Sequence, residues 1–277
     1  MHFRPLLLVS ALASYVSAFG INDFFCRSKE HPNPVIFLHG LGATFYEDLN
    51  FLQYWLQSKG YCTYAQTYGE YEGFPLLGGL KPIADSAKQI AAYIREVAEK
   101  TESDKVDLVG HSEGAFQTLY VPKFEAGVSG LLDKLVAIAP PTHGTNFGGI
   151  YNLAYAFGNV SREAVGEALR AVGCAACDEL GPNGPAVDRL NDGEPIVQPG
   201  NSLTVIASKW DEMVTPTSTS FVHEDGVHNV WVQDFCKLDP VGHIGEAYDL
   251  NVWNLVKNAL DGMPDRHFFC VLGSPGK

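Results

Sequence analysis

The sequence predicts an α/β fold with a mostly parallel, doubly wound sheet, and three observations carry that reading. Short apolar runs of strand length alternate with longer segments of helical periodicity, the order that sets helices on both faces of a parallel sheet. The runs are nearly continuous in apolar residues rather than alternating, as expected of strands covered on both sides. The chain of 277 residues, 46% hydrophobic and 18% charged, can bury one sizeable core.

Taken in order, Pro34-Val35-Ile36-Phe37-Leu38 is the first strand. A helix follows with Leu49, Leu52, Trp55 and Leu56 on one face and Gly60 as its stop. Cys62 to Tyr68 is the next strand, and a glycine-rich loop runs from Gly69 to Leu80. Ile83, Ala87, Ile90, Ile94 and Val97 then repeat at alternating offsets of four and three, the mark of an amphipathic helix whose Lys88, Arg95, Glu96 and Lys100 form a solvated face. Val106-Asp107-Leu108-Val109 is a strand, Gly114 towards Phe124 a helix, and Leu135 to Ala139 a strand. The stretch from about 147 to 201 breaks this rhythm. It holds Tyr151, Leu153, Tyr155 and Phe157, a helix with Val165, Leu169 and Val172, and the punctuation Gly181-Pro182-Asn183-Gly184-Pro185, and it reads as a cap inserted over the sheet's C-terminal edge. Core strands resume at Leu203 to Ala207 and at Val230-Trp231-Val232, and a helix bearing Tyr248, Val252, Leu255 and Ala259 closes the pattern. No internal repeat or low-complexity segment is evident.

The N-terminus reads as a signal peptide over residues 1–18, with Arg4 as its positive end, an apolar region from Pro5 to Tyr15 and the small-residue site Val16-Ser17-Ala18. The apolar region is far shorter than the ~20 residues a bilayer span requires. Residues 19–277 are then expected as a single domain with the insertion. The formal net charge of −13 becomes one unit more negative without Arg4, which disfavours nucleic acid and anionic membrane surfaces as partners. Six cysteines, all beyond residue 18, suit an oxidising compartment and secretion. Local geometry favours pairing Cys174 with Cys177, which are too close in sequence to pair elsewhere without strain; no second Cys/His pair sits at finger spacing, so no metal is expected. Asn159-Val160-Ser161 is a glycosylation acceptor sequon.

The chemistry centres on Gly110-His111-Ser112-Glu113-Gly114 directly behind a strand. A G-x-S-x-G run in that setting is a nucleophile elbow, whose glycines remove side chains that would clash at a sharp strand-to-helix turn. A serine hydroxyl is a weak nucleophile near neutral pH and needs a base within hydrogen-bond reach and a third group to orient that base. Asp211, just after the strand at Leu203, and His243, on the loop after the next strand, follow Ser112 in the required chain order. Glu212 is the alternative acid, one position further from the strand end. His39-Gly40-Leu41-Gly42 after the first strand gives the backbone room to point N–H groups inward, so the N–H groups of Leu41 and Glu113 would form an oxyanion hole worth roughly 2.7–4 kcal/mol per donor. His39 braces that loop. His111, His223, His228 and His267 have structural or solvent-facing explanations.

The runs Asn22 to Gly144 and Val205 to Asp261 resemble the secreted α/β-hydrolase lipases of the class 2 type, an actinobacterial family with fungal relatives. The resemblance rests on His31-Pro32-Asn33-Pro34-Val35 before His39-Gly40, Lys59-Gly60-Tyr61-Cys62, Thr67-Tyr68-Gly69, Gly78-Gly79-Leu80, Lys105 to Ser112, Pro141-Thr142-His143-Gly144-Thr145 and Asp211 to Pro216. It implies the α/β-hydrolase fold, with Ser112 as nucleophile, Asp211 as acid and His243 as base. It also implies that Cys26 pairs with Cys62 and Cys236 with Cys270. The family usually carries Gln where this chain has Glu113 and Gly where it has Ala115. The function expected is that of a secreted serine ester hydrolase, a lipase or carboxylesterase for esters with apolar acyl chains, needing no cofactor. Such an enzyme is expected as a monomer in transient contact with a lipid interface. The same triad serves an acyltransferase or a polyester or lactone hydrolase, whereas a catalytically inactive binding relative is expected to lack a triad member.

Overall fold

The computed structural model describes residues 20–73, 76–148 and 159–274, the side chains of residues 159–162 excepted. Its six strands are β1 (Val35–Leu38), β2 (Thr63–Ala65), β3 (Val106–His111), β4 (Leu132–Ile138), β5 (Ser202–Ala207) and β6 (His228–Trp231). They form one parallel sheet in the order β2-β1-β3-β4-β5-β6. In register, Phe37 of β1 lies between Ala65 of β2 and Val109 of β3. The chain builds to one side of β1 and then crosses to the other, so the crevice at the C-terminal ends of β1 and β3 is the switch point where such sheets place ligands.

Helices cover both faces. Above one face lie α2 (Ile83–Thr101) and α3 (Glu113–Phe124), where Ile90, Ile94, Phe116 and Leu119 pack with Ile36, Leu38, Leu108 and Val205. Against the other face lie α1 (Asn50–Gln57) and the last helix, where Leu52, Leu56, Val252 and Leu255 pack with Phe37, Val109, Val136 and Ile206. Alternate residues of each strand thus enter different cores, which is why the strands read as unbroken apolar runs.

The insertion between β4 and β5 contains α4 (Asn159–Ala171), α5 (Ala175–Glu179) and α6 (Pro185–Leu190). Residues 149–158, with Tyr151, Leu153, Tyr155 and Phe157, lie outside the described residues, as do residues 1–18. Helices α5 and α6 join the layer of α2 and α3: Ala176, Leu180, Val187 and Leu190 are buried in its core. Pro82 precedes α2 without a side chain to cap it, and the Glu179 carboxylate of α5 accepts the Ile83 N–H at 2.8 Å instead.

Several element ends differ from the sequence expectation. β2 stops at Ala65 rather than Tyr68, because beyond it the Tyr68 N–H turns inward to His39 Nε2 at 3.2 Å. β4 starts at Leu132 rather than Leu135, its register with β3 shifting between Val106 and Leu108. Val232 opens the short helix α7 (Val232–Phe235) instead of extending β6. Tyr248 precedes α9 (Leu250–Leu260) because Asp249 caps that helix, its side chain accepting from the N–H groups of Asn251 and Val252. The cysteines pair as Cys26–Cys62, Cys174–Cys177 and Cys236–Cys270. Among the described residues no helix is long and apolar enough to cross a membrane.

Candidate active site

Ser112 sits at the turn from β3 to α3 with φ 56° and ψ −120°, a left-handed φ that only close constraint imposes on a non-glycine residue. Its N–H donates to the Ile138 carbonyl at 2.9 Å and its carbonyl accepts the Phe116 N–H at 3.0 Å, which fixes the elbow between β4 and α3. The two glycines are required by contact. A Cβ on Gly110 would lie 2.2 Å from the Gly114 carbonyl oxygen, and one on Gly114 would lie 2.2 Å from that of Leu38.

The three predicted side chains meet from three strand ends. Ser112 Oγ lies 2.8 Å from His243 Nε2, and His243 Nδ1 lies 2.8 Å from Asp211 Oδ2. The other Asp211 oxygen accepts the N–H groups of Met213 and Val214, each at 2.8 Å, so the carboxylate is held at both oxygens and buried. With Nδ1–H donated to Asp211, His243 presents Nε2 as the acceptor for the serine proton. Glu212, the alternative acid, accepts the backbone N–H of His243 at 3.1 Å and does not engage the ring. His243 itself begins the short helix α8 (His243–Glu246).

The loop after β1 faces the elbow. Gly42 N–H donates to Gly78 O and Gly78 N–H to Ala43 O, each at 2.9 Å, and Gly79 N–H donates to Tyr68 O at 2.7 Å. Neither the Leu41 nor the Glu113 backbone N–H donates a hydrogen bond among the described residues; Leu41 borders the crevice at Ser112, and Glu113 follows Ser112 as the first residue of α3. His39 is buried; Nε2 accepts the Tyr68 N–H, Nδ1 lies 2.9 Å from Gly40 O, and the ring stacks on Tyr68 with centroids 4.2 Å apart. Burial lowers its pKa, in keeping with a neutral imidazole that braces the loop.

Two buried groups here carry no motif signal. His111 Nδ1 lies 3.1 Å from Asp48 Oδ2 and its Nε2 lies 3.0 Å from the His243 carbonyl oxygen. Burial alone would lower the His111 pKa, but the Asp48 carboxylate and these two acceptors raise it. Asp48 also accepts the Gly40 N–H at 2.6 Å, and His111 holds its pKa below the carboxylate value despite burial. Glu246 is fully buried, and burial followed by the charge of Asp211 raises its pKa far above the usual value. Ligand atoms of His111, His243 and Glu246 lie within 4.8 Å of one another. Both nitrogens of His111 face acceptors, however, and those of His243 are engaged by Ser112 and Asp211, so neither imidazole offers a free nitrogen to a metal. The remaining described histidines stand apart: His31 stacks on Tyr61, His143 Nε2 faces the Phe221 carbonyl, His223 borders an open groove, His228 pairs with Asp265, and the His267 ring contacts Phe235.

A cavity of about 160 Å³ opens beside Ser112, walled by Leu41, Pro141, Phe147, Leu180, Val214 and Ile244. A larger open groove of about 790 Å³, bordered by His143, Ile196, Val222 and Glu224, shares no residue with it. Of the two, only the smaller one is bordered by Ser112 and His243.

The description of the lipase (class 2) family matches residues 32–243, a span that contains the elbow, Asp211 and His243. The chain belongs to the class 2 lipase family. It is 30% identical over 120 residues to a triacylglycerol lipase of Pseudarthrobacter phenanthrenivorans, covering 41% of this chain and 34% of that one. A triacylglycerol lipase of Burkholderia plantarii is likewise 30% identical over 120 residues, 41% of this chain and 31% of that protein. The chain thus spans about a third of the length of these bacterial relatives. Among solved structures, Aspergillus fumigatus lipase B superposes with a TM-score of 0.61 at 19% identity, over 82% of this chain and 52% of that one. A Listeria innocua gene product superposes at 0.54 and 15% identity, over 87% and 96%. At these identities the likeness speaks for the fold, which is that of the α/β-hydrolases.

Proposed function

We propose that this class 2 lipase relative is a secreted serine ester hydrolase, a lipase or carboxylesterase acting on carboxylic esters with apolar acyl chains. The observation that carries the reading is the unbroken line of hydrogen bonds from Ser112 Oγ to His243 Nε2 and from His243 Nδ1 to Asp211, at 2.8 Å each, on the elbow of a lipase-family chain. In this reading Ser112 attacks the ester carbonyl while His243 takes its proton, and the N–H groups of Leu41 and Glu113 receive the developing oxyanion. His243 then returns the proton to the departing alkoxide, leaving an acyl group on Ser112 that water removes by the same steps in reverse. Asp211 holds the imidazole tautomer throughout.

The residues 1–18 as a signal peptide and the three disulfides support secretion into an oxidising compartment. The apolar walls of the cavity support an acyl chain as its occupant. Hydrolysis of p-nitrophenyl esters of increasing chain length tests the proposal. Turnover of these esters that disappears in Ser112→Ala is expected; no turnover of any ester by the folded protein would reject it.

A further inference from the structure

Beneath the two oxyanion donors lies a buried chain of polar side chains. Gln117 Nε2, one turn into α3, donates to Glu113 Oε1 at 2.9 Å and lies 3.1 Å from the Ile83 carbonyl oxygen. Glu113 Oε2 lies 2.5 Å from the Tyr68 hydroxyl, and that hydroxyl lies 2.6 Å from the carbonyl oxygen of His39. Glu113, Gln117 and Tyr68 are all fully buried. A carbonyl oxygen can only accept, so the single Tyr68 proton goes to His39. The short Glu113 contact then needs a second proton, and the only group able to carry it is the Glu113 carboxyl. Hydrogen-bond arithmetic thus requires a carboxylic acid whose Oε1 accepts from Gln117 and whose Oε2–H donates to Tyr68.

The path has a mechanical meaning. One end is the first residue of α3, whose backbone N–H is one oxyanion donor; the other is the carbonyl of His39, two residues before the second donor on Leu41. Gly79, whose Cβ would lie 3.0 Å from Glu113 Oε2 and 3.3 Å from Leu41 Cα, closes the space between them. We propose that Glu113, as a neutral carboxylic acid, is a positioning residue that ties the two walls of the oxyanion hole together through Tyr68. The inference rests on Ser112 being the nucleophile.

The groups facing the Glu113 carboxyl agree with this state. Tyr68 and Gln117 are neutral partners, His39 is held neutral by burial, and Glu179 of α5 adds a repelling negative charge; Asp48 acts on Tyr68. Burial, the largest cause, raises the Glu113 pKa to about 8. Once Glu113 ionises, one hydroxyl proton must serve two acceptors, a link is lost, and a buried negative charge lies under the developing oxyanion. Turnover falls on the alkaline side for a reason unconnected with His243.

The test is the pH profile of kcat together with infrared difference spectra across the same titration. In the unmodified protein kcat is expected to drop as pH rises through about 8, together with loss of a protonated-carboxyl stretch. Glu113→Gln, which keeps a donor and an acceptor but cannot ionise, is expected to lack both changes relative to its own plateau, while signals from the buried acids Asp107 and Glu246 persist. Tyr68→Phe, which cuts the path, is expected to lower kcat about tenfold with little change in KM, a fraction of what outright loss of a donor costs. The infrared titration of the unmodified protein does not depend on either variant folding. Absence of a carboxyl signal assignable to Glu113, or an alkaline limb unchanged in Glu113→Gln, overturns the inference and leaves ester hydrolysis standing. A Glu113 signal in a folded protein that hydrolyses no ester would instead reject the proposed function.

Discussion

At the scale of residues, the pair Asp48 and His111 shows what motif logic passes over. His111 fills the variable position of the elbow, and its side chain is committed to structure: one nitrogen faces Asp48, which holds Gly40, and the other faces the His243 backbone. The pair therefore joins the loop after β1 to the segment that carries His243. Removing one partner of a buried ion pair leaves an uncompensated charge, so Asp48→Asn should cost about 3–5 kcal/mol by urea denaturation. The pH dependence has a definite sign. His111 is raised above its ordinary 6.5, so its contribution is fully present below 6.5 and is lost as pH rises through the folded value. Asp48 is lowered from 3.8, so its contribution is present above 3.8 and is lost as pH falls through the folded value. The stability gap between the unmodified protein and Asp48→Asn should be widest between those two ordinary values; a gap that does not vary with pH would reject the ion pair. Ser112, Asp211 and His243 are legible in the sequence because each follows a strand signal. Asp48, Tyr68 and Glu246 are not, because one buried polar residue in a loop or short helix looks like any solvated one until the fold closes over it.

At the scale of elements, strands and long helices are legible through periodicity, whereas their ends depend on tertiary contacts. Tyr68 leaves β2 to meet His39, and Asp249 rather than the apolar pattern decides where α9 begins. The insertion shows the same limit: apolar spacing identifies α4, but neither the short helices α5 and α6 nor that they complete the layer of α2 and α3, with Glu179 capping α2. The disulfides act at this scale. Cys26–Cys62 and Cys236–Cys270 close loops with separations of 36 and 34, and loss of either should cost about 3–4 kcal/mol by the chain-entropy relation. Cys174–Cys177, with a separation of 3, should cost about 2 kcal/mol or less on the same relation. Denaturant midpoints of the paired Cys→Ala variants check this ordering, and a larger loss for Cys174→Ala/Cys177→Ala than for the long bridges would contradict it.

At the scale of the whole molecule, the sheet's switch point gathers the loop after β1, Ser112 after β3, and Asp211 and His243 after β5 and β6 into one crevice. Apolar side chains surround its mouth: Met213, Ile244 and Tyr248 border the cavity and are 38%, 54% and 36% exposed. With a formal net charge of −13, the molecule suits neutral ester substrates better than anionic surfaces. If the cavity takes the acyl chain, each added methylene should contribute up to ~0.8 kcal/mol, about fourfold in kcat/KM, until the space is filled. Met213→Gln should reduce the advantage of medium chains over acetate, and a strict acetate preference would assign these walls to packing alone. The sequence points to the crevice through its motifs, but the cavity's size follows from Phe147, Leu180 and Val214, which meet only when the insertion and the loop after β5 converge.

The proposal that Ser112 is the nucleophile is tested most directly by treating the folded protein and Ser112→Ala with a fluorophosphonate and locating the adduct by peptide mass spectrometry. A single adduct on Ser112, absent from the variant, is the expected result. Labelling that persists in Ser112→Ala, or that falls on another residue of the unmodified protein, would contradict the assignment of Ser112, His243 and Asp211 as the catalytic triad.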